Sequence, residues 1–396
     1  MSPESGKSGV AAAPCGLADD LVEVIPQADG TVVYQKKLAD GSTIVFDYER
    51  PFILELELTW RCNLKCFHCY VEATESKKCK ELTLAEVKTI IDDAVYLGTT
   101  ELSLTGGEVL LREDLPEILA YGHEKKMGLR FVTNGSLLNE SWLKRLAPYP
   151  IKLITVSLDA VDSKIHNEIR GCECYEDTMA GINRLVDNGY RVSVITAFCK
   201  DNLPDFDNIL KFCIEKKLDW QVQMTSVKGR CPKERVLTEE EYYELGTKVA
   251  QAIVDKPPIN IIPMDDLATF SRFHPLDVLS QTWQGGCSGG RLNLFVRADG
   301  SVTPCSAISF EPFIAGNVRQ TKLRDICQQR LCAKTLQSWL DVDKLEGQCA
   351  LCPNKEKCLA GCPEILCTMC SSRHVNRYCY WAIEEKKIRQ DLDGIW

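Results

Sequence analysis

The chain has 396 residues, long enough to bury a full core, and we predict two domains. Its hydrophobic and charged fractions, 45% and 26%, are ordinary for a globular protein, and its formal charge of -9 argues against nucleic acid as the main partner. We recognise no membrane-span pattern and no signal peptide, and therefore expect a cytoplasmic protein without a membrane partner. Its 21 cysteines indicate metal ligands in a reducing compartment.

The first part of the chain is predicted to hold little structure before a small β-meander. Residues 1–20 are expected to be disordered, and the meander is predicted for residues 21–49. Asp-Gly pairs separate its strand-like runs, as expected for tight hairpin turns. These runs are Val22–Ile25, Thr31–Tyr34 and Thr43–Phe46.

Strand-like runs then alternate regularly with helical patterns across residues 50–235. Six such repeats predict an α/β fold in which a parallel sheet curls into a partial (β/α)6 TIM-like barrel. A barrel of this kind carries its chemistry on the loops at the C-terminal strand ends. The strand-like runs are Phe52–Leu58, Glu101–Leu104, Leu129–Thr133, Leu153–Leu158, Arg191–Phe198 and Trp220–Met224.

The regular alternation ends near Lys228. Residues 236–285 are predicted to form a helical linker, which begins with a charged helix from Thr238 to Val254. A small cysteine-rich domain is predicted for residues 286–380, and a charged C-terminal helix for residues 381–396.

Three cysteines, Cys62, Cys66 and Cys69, follow the first strand of the predicted barrel in a C-x3-C-x2-C spacing. A [4Fe–4S] cube takes four thiolates, so a local set of three leaves one iron open to a substrate or cofactor. This pattern resembles the signature of the radical S-adenosylmethionine (SAM) enzymes. The resemblance implies that the open iron binds SAM. Its reductive cleavage would yield a 5′-deoxyadenosyl radical that takes hydrogen from an unreactive C–H bond.

Further residues of the predicted barrel match positions that contact SAM in this family. Gly106, Gly107 and Glu108 follow the second strand, where the family meets the SAM amino group. The remaining matches are His68 near the adenine, Asn134 at the end of the third strand, Ser157 and Asp159 for the ribose, and Arg170 for the carboxylate.

Each of these matches has a purely structural alternative. The Gly-Gly-Glu segment alone is a turn between a strand and a helix, and Ser157 and Asp159 alone are a strand end and a helix cap. Arg170 alone is a surface ion pair, and His68 could simply pack beside the cluster. The sequence leaves the catalytic residue unassigned.

A second group of cysteines begins at Cys287 and resembles the SPASM extension of radical SAM enzymes. Its pattern is C-x12-G-x4-C, then C-x2-C-x5-C-x3-C, then a last cysteine, and its first part predicts a hairpin of Leu292–Val296 with Ser301–Thr303. The resemblance implies two auxiliary [4Fe–4S] clusters, and it alone supplies the division of the ligands. The first cluster takes Cys287, Cys305 and Cys362, and the second takes Cys349, Cys352, Cys358 and Cys379.

One position departs from the best-known members of the family. The extra cysteine that completes the first auxiliary cluster in some of them would lie at position 293, which is Asn293 here. That cluster could therefore keep an open iron or recruit another ligand, and Cys367 and Cys370 are candidates. The alternative is zinc, because those two thiols have nearly zinc-ribbon spacing with Cys349 and Cys352.

The remaining cysteines are predicted to be inert, apart from two that follow Arg170. Cys172 and Cys174 could approach the SAM site, and Cys213 is predicted to lie in the core. The others are expected to be packing or surface thiols: Cys15, Cys79, Cys199, Cys231, Cys327 and Cys332.

The auxiliary clusters suggest how the reaction ends, because a substrate radical that becomes a crosslink, a thioether or an oxidised side chain must lose an electron. The leading hypothesis is an oxidoreductase that modifies a peptide or protein side chain, as most characterised SPASM members do. A small-molecule enzyme, for instance one that oxidises tetrapyrrole side chains or assembles a cofactor, is the alternative. A non-catalytic iron–sulfur or zinc protein is a third possibility.

The predicted meander bears on the choice between the first two hypotheses. Many peptide-modifying members carry an N-terminal winged-helix domain that binds a leader peptide, and residues 21–49 leave no room for its helices. This weakens the peptide hypothesis without removing it. With either substrate, a flavodoxin or a ferredoxin is the expected electron donor.

Overall fold

The computed structural model describes residues 22–26, 32–37, 41–76, 80–282, 287–337 and 339–393. The predicted disorder of residues 1–20 and the predicted roles of Cys15 and Cys79 lie outside these ranges. No helix in the described part of the chain is long and apolar enough to cross a membrane.

A small antiparallel sheet precedes the barrel. Its strands are β1 (Val22–Pro26), β2 (Val32–Lys37) and β3 (Thr43–Phe46), and β2 pairs with both of the others. These are the three strands that the Asp-Gly pairs predict. Phe46 fixes the last strand to the barrel, because its buried ring packs edge to face on that of Phe52 at 4.5 Å.

Six parallel strands follow, and each is hydrogen-bonded to the next one along the chain. Most of their residues are buried on both faces of the sheet, as expected for parallel strands covered by helices. The predicted partial barrel of the α/β class is confirmed by this order. The strands are β4 (Ile53–Glu57), β5 (Glu101–Thr105), β6 (Gly128–Thr133), β7 (Ile151–Ser157), β8 (Val192–Phe198) and β9 (Asp219–Met224).

The sheet extends beyond these six strands at both ends. At one end β10 (Ile261–Pro263) pairs parallel with β9, so the segment predicted as a helical linker also supplies a strand. At the other end β11 (Asn293–Val296) pairs parallel with β4 and antiparallel with β12 (Ser301–Thr303), which pairs with β13 (Gly316–Asn317). The predicted hairpin is confirmed, and backbone hydrogen bonds join the cysteine-rich region directly to the barrel.

Helices cover the barrel and fill the C-terminal region. Two of them begin with capping boxes at Thr83 and Thr238, where the hydroxyl accepts a backbone N–H and a glutamate three residues later returns the hydrogen bond. The helices are α1 (Leu84–Tyr96), α2 (Leu115–Glu124), α3 (Glu140–Leu146), α4 (Ser163–Arg170), α5 (Tyr175–Asp187), α6 (Phe206–Lys216), α7 (Glu239–Val254), α8 (Leu323–Gln328), α9 (Leu331–Gln337), α10 (Gly347–Ala350), α11 (Lys355–Cys358), α12 (Pro363–Ile365) and α13 (Tyr380–Asp393).

The parallel order places the C-terminal ends of β4 to β9 at one edge of the sheet. The segments that follow β4, β5, β6 and β7 at this edge, together with Ser157 at the end of β7, contain all the residues predicted to contact SAM. The domain limits drawn from the sequence remain predictions.

Candidate active site

The loop after β4 holds three thiols in one buried cluster. Cys62 and Cys66 are 6% and 8% exposed, and Cys69 is half-buried beside them. Backbone N–H groups donate to two of the sulfurs, from Leu64 to Cys62 at 3.4 Å and from Ala73 to Cys69 at 3.3 Å. Burial raises the pKa of Cys62 to about 12, so its thiolate requires the positive charge of a metal centre at neutral pH.

Two polar side chains from other segments reach these sulfurs. The Asn134 amide nitrogen, just after β6, lies 3.9 Å from the sulfur of Cys62. The Arg170 guanidinium, at the end of α4, lies 3.8 Å from the sulfur of Cys66. Hydrogen bonds to ligand sulfur are one way in which a protein sets the potential of an iron–sulfur cluster.

The Gly-Gly-Glu segment after β5 packs directly against the three-cysteine loop. The N–H of Gly107 donates to the Thr59 carbonyl at 2.7 Å, and the N–H of Glu108 donates to the Arg61 carbonyl at 2.9 Å. A side-chain carbon at Gly107 would overlap the Arg61 carbonyl, and one at Gly106 would lie 2.8 Å from the Thr59 carbonyl oxygen. The two glycines are therefore needed to hold the loop in place.

Glu108, which the sequence predicts to contact SAM, lies outside the lining of the cavity at this site. Its side chain is 1% exposed and accepts hydrogen bonds from the Thr133 hydroxyl and the Asn134 N–H, both at 2.7 Å. It also caps the 3-10 turn Val109–Leu111 by accepting the Leu110 N–H at 3.0 Å. The carboxylate thus joins the ends of two strands, and a SAM contact at Glu108 stays a prediction.

Asp159 lies just after β7 at the centre of a buried charged group. Its carboxylate is 2.8 Å from the Arg170 guanidinium and 3.0 Å from Nε2 of His68, and it accepts the Ala197 N–H at 3.2 Å. Burial pushes the pKa of Asp159 upward, but Arg170 and His68 hold it well below its usual range. Because Arg170 is only 6% exposed, the surface-ion-pair alternative for this residue is wrong.

Sequence reasoning missed His166, which lies behind this group. Its ring is fully buried, and Nδ1 accepts the Asp159 N–H at 3.3 Å. Burial, followed by the positive charge of Arg170, lowers the pKa of His166 to about 3. His166 precedes Arg170 by four residues, and residues four apart lie on one face of a helix. This spacing was the signal in the sequence.

A cavity of about 430 Å³ extends from the three-cysteine loop to the cysteine-rich region. Its volume lies within the range of about 300–1,000 Å³ that is usual for small-molecule sites. Besides the cysteines of the loop, every predicted SAM contact except Glu108 lines it: His68, Gly106, Gly107, Asn134, Ser157, Asp159 and Arg170.

Three thiols from the cysteine-rich region line the other end of the cavity: Cys287, Cys305 and Cys362. Cys287 and Cys362 pack in one cluster with Ala268. Burial raises the pKa of Cys362 well above its ordinary value, and the nearby charges of Glu364, Cys287 and Cys305 raise it further. The chain therefore brings together the three residues that the resemblance assigns to the first auxiliary cluster.

The thiols assigned to the second auxiliary cluster form a separate group, away from the cavity lining. Burial raises the pKa of Cys358 well above its ordinary value, and the nearby Cys379, Cys349 and Cys352 raise it further. The Asn376 N–H donates to the sulfur of Cys349 at 3.3 Å. The four thiols are thus near one another, although their role as ligands stays a prediction.

Cys367 and Cys370, the other candidate ligands of the first set, lie outside the cavity lining, and their role stays a prediction. They lie on the π-helical turn Leu366–Cys370. The sulfur of Cys370 accepts the Arg377 N–H at 3.4 Å. The pKa of Cys349, in the second group, is raised mainly by burial, then by the nearby Cys352, and then by Cys370. In the described part of the chain, no three His, Cys, Asp or Glu side chains converge as they would around a single metal ion.

Comparison with known protein families matches both halves of this site. Residues 56–213 match the Radical SAM superfamily, and residues 287–353 match SPASM, an iron-sulfur cluster-binding domain. The chain belongs to the radical SAM superfamily. As a radical SAM enzyme with a SPASM domain, it uses SAM and [4Fe–4S] clusters. The buried thiols and the donors aimed at their sulfurs fit clusters of this kind.

Named relatives and a solved structure resemble different shares of the chain. An AdoMet-dependent heme synthase of Methanosarcina barkeri is 28% identical over 79% of this chain and 91% of its own length. The subtilosin biosynthesis protein AlbA of Bacillus subtilis is 32% identical over 40% of this chain and 35% of its own. SuiB of Streptococcus suis, solved with S-adenosylmethionine bound, superposes with a TM-score of 0.67 at 20% identity, over 83% of this chain and 76% of SuiB.

Sequence reasoning also missed a polar group on the cavity wall after β9. The Lys228 ammonium lies 4.9 Å from the centre of the Tyr70 ring and 3.8 Å from the Glu364 carboxylate, which also accepts the Ser226 hydroxyl. Tyr70 directly follows Cys69, and Glu364 lies two residues after a predicted cluster ligand. Tyr70 and Glu364 could have been found from their closeness to these cysteines in the sequence. Lys228 and Ser226 belong to no motif that could have indicated them.

Proposed function

We propose that this radical SAM enzyme oxidises a side chain of a tetrapyrrole or a related small molecule. The observation that carries the proposal is the extent of the match to an AdoMet-dependent heme synthase, which spans 79% of this chain and 91% of that protein. The match to AlbA, a protein of bacteriocin biosynthesis, spans only 40% of this chain. The leading hypothesis from the sequence, a peptide side-chain oxidoreductase, therefore becomes the second candidate.

The cavity supports a compact substrate. It lies between the three-cysteine loop and the first auxiliary set, so a molecule held there would be close to both predicted clusters. Cleavage of SAM supplies the radical that takes hydrogen from the substrate. Asp159 and Arg170 would hold SAM, the buried walls of the cavity would limit the access of water, and Cys287, Cys305 and Cys362 would hold a cluster able to accept an electron.

Lys228 is placed to orient an anionic substrate. Its ammonium lies at the cavity wall, where it donates to the Ala307 carbonyl at 2.5 Å and is 3.8 Å from the Glu364 carboxylate. An ammonium has three N–H donors, so it can also bind a substrate anion. Tetrapyrroles carry carboxylate side chains, and a carboxylate entering the cavity would meet this cation. Its orientation would decide which C–H bond faces the SAM site.

The test is an anaerobic turnover assay on the reconstituted full chain. Iron coproporphyrin III, SAM and a reductant are mixed, and the products are analysed for 5′-deoxyadenosine and for a change in tetrapyrrole mass. We expect both products to form together and to be lost in a Cys62→Ala variant. If 5′-deoxyadenosine forms while the tetrapyrrole mass stays unchanged, and a peptide is modified under the same conditions, the proposal is wrong.

The second candidate function is the modification of a peptide or protein side chain. A structure of SuiB with its precursor peptide SuiA superposes on 83% of this chain with a TM-score of 0.66, at 20% identity. This likeness shows a shared fold and makes a peptide worth testing as a substrate. The same assay, with a peptide encoded by a small neighbouring reading frame, decides between the two. With either substrate, we propose that a flavodoxin or a ferredoxin supplies the electron.

A further inference from the structure

Two polar side chains from neighbouring strands lie beside the first set of auxiliary thiols. Asn293 begins β11, Glu55 lies in the middle of β4, and the two strands pair in parallel. The Asn293 amide nitrogen donates to a Glu55 carboxylate oxygen at 3.4 Å. Both residues line the same cavity as Cys287, Cys305 and Cys362. Two other carboxylates of the lining are also near these thiols: after burial, Asp265 is the next cause of the raised pKa of Cys287, and Glu364 of that of Cys362. Both are already paired, Asp265 with Ser288 and Glu364 with Ser226 and Lys228, whereas Glu55 has only the Asn293 amide among the described residues.

The Glu55 carboxylate has little to compensate for its burial. Burial raises its pKa to about 7, and only the Asn293 amide and the more distant Arg130 act in the other direction. In the described part of the chain, that amide is its one hydrogen-bond donor. The Arg130 guanidinium is bound to Glu101 at 2.7 Å instead. A buried carboxylate is ordinarily neutralised by a proton, paired with a cation or bound to a metal, and no salt bridge between described residues pairs Glu55.

No further thiol lines this end of the cavity in the described part of the chain, although Glu364, a lining residue, is after burial the next cause of the raised pKa of Cys367. Apart from the three-cysteine loop, its described lining contains only the thiols of the first set. Cys367 and Cys370 are placed elsewhere, on the π-helical turn. Burial and then Cys287 raise the pKa of Cys305, and the charge of Glu55 adds a smaller effect in the same direction. Glu55 is therefore near this thiol.

We propose that the Glu55 carboxylate is an oxygen ligand of the first auxiliary cluster and completes the coordination begun by Cys287, Cys305 and Cys362. Asn293 stands where a thiolate would otherwise bind, and its amide holds the carboxylate in position. Oxygen is a harder donor than the thiolate sulfur that these clusters prefer, so this iron exchanges its ligand more easily than one held by sulfur. The proposal does not depend on the identity of the substrate.

The test compares Glu55→Gln with wild type, as anaerobically reconstituted full chains enriched in ⁵⁷Fe. Mössbauer and EPR spectra of the reduced proteins report the ligands of each cluster without any turnover. We expect the variant to keep its iron, to lose one oxygen-ligated iron site, and to bind added cyanide at the vacated iron. Asp266→Asn is the matched control, because Asp266 is another carboxylate of the cavity wall, accepts the Met224 N–H at 2.7 Å, and is not among the charges that raise the pKa of Cys287, Cys305 or Cys362.

A second variant covers the case in which Glu55→Gln loses the cluster altogether. Asn293→Cys adds a thiolate next to Glu55. The double variant Glu55→Gln/Asn293→Cys should then recover the full iron content of about twelve per chain. Failure of the double variant to recover iron overturns the proposal. The proposal is also overturned if the spectra of Glu55→Gln superpose on those of wild type, or if both proteins respond equally to cyanide.

Discussion

The Arg170 guanidinium lies 2.8 Å from the Asp159 carboxylate, and both side chains are more than nine-tenths buried. The same guanidinium lies 3.8 Å from the sulfur of Cys66. One side chain therefore ties the end of a barrel strand to the loop that is predicted to hold the SAM cluster. A change at this position should affect SAM binding and cluster environment together.

Replacing Arg170 by glutamine should weaken SAM binding at least about tenfold, because the buried Asp159 loses its partner at a cost of about 3–5 kcal/mol. The measurement is a SAM titration that follows the EPR spectrum of the reduced cluster. Arg145→Gln, on the outer helix α3, is the control and should bind SAM like wild type. An unchanged titration in the Arg170 variant would show that the ion pair has no part in SAM binding.

Gly107→Ala should remove the SAM cluster and spare the C-terminal ones. The added carbon would overlap the Arg61 carbonyl, so the cysteine loop must move. We expect the loss of about four of about twelve irons per chain. In the control Gly316→Ala, the new carbon meets only the movable end of the Ile326 side chain, and iron should be retained. Equal iron contents in the two variants would contradict the expected displacement.

Cys362→Ala and Cys352→Ala should disturb different auxiliary clusters. Cys362 lines the cavity with the first set, whereas Cys352 belongs to the separate second group. We expect each variant to lose or alter a different auxiliary signal in the EPR spectrum of the reduced protein. If both variants alter the same signal, the assignment of Cys362 to the first set is incorrect.

The Cys367→Ala/Cys370→Ala double variant should retain all of its iron. Neither thiol lines the cavity, and the four thiols of the second group are complete without them. Iron analysis and EPR of the reduced double variant provide the check. A loss of about four irons would make at least one of the two thiols a ligand.

His166 should make the folded protein less stable as the pH falls. Its folded pKa of about 3 lies below the ordinary value of about 6.5, so below pH 6.5 the unfolded chain binds a proton that the folded chain does not. This effect should cost about 1.4 kcal/mol at pH 5.5 relative to pH 7.5. Urea unfolding at both pH values measures it.

The variant for this test is His166→Gln, which keeps a hydrogen-bond acceptor for the Asp159 N–H but does not titrate. It should lose that part of the pH dependence even if its stability falls overall. His123→Gln is the control, because His123 is exposed on α2 and its removal should leave the dependence intact. The same slope in all three proteins would show that His166 is protonated equally in the folded and unfolded chains.

The barrel was predictable because its signals are local. Each strand-like run is followed by its own helical pattern, and parallel order follows from that alternation. The pairing of Asn293 with Ile53 was not predictable, since parallel partners far apart in the sequence leave no turn between them. The short strand Ile261–Pro263 also gives too little pattern to recognise within a Pro-rich segment.

Some residues of the candidate site were predictable from the sequence and others were not. The resemblance named the cysteines, and the structure places those of the first set at one cavity. It also supplied Glu108, but the hydrogen bonds of the Glu108 carboxylate with Thr133 and Asn134 were not predictable, because a motif records which residue is present but not what its side chain contacts. Glu55 carried no signal, since one acidic residue in a strand is typical of an exposed face.

The hydrogen-bond ladder between β4 and β11 connects the strand before the three-cysteine loop with the strand after Cys287. Any widening of the gap between these strands would require breaking a row of interstrand hydrogen bonds. If the two sets of cysteines hold clusters as proposed, we therefore expect the distance between those clusters to stay nearly constant when a substrate binds.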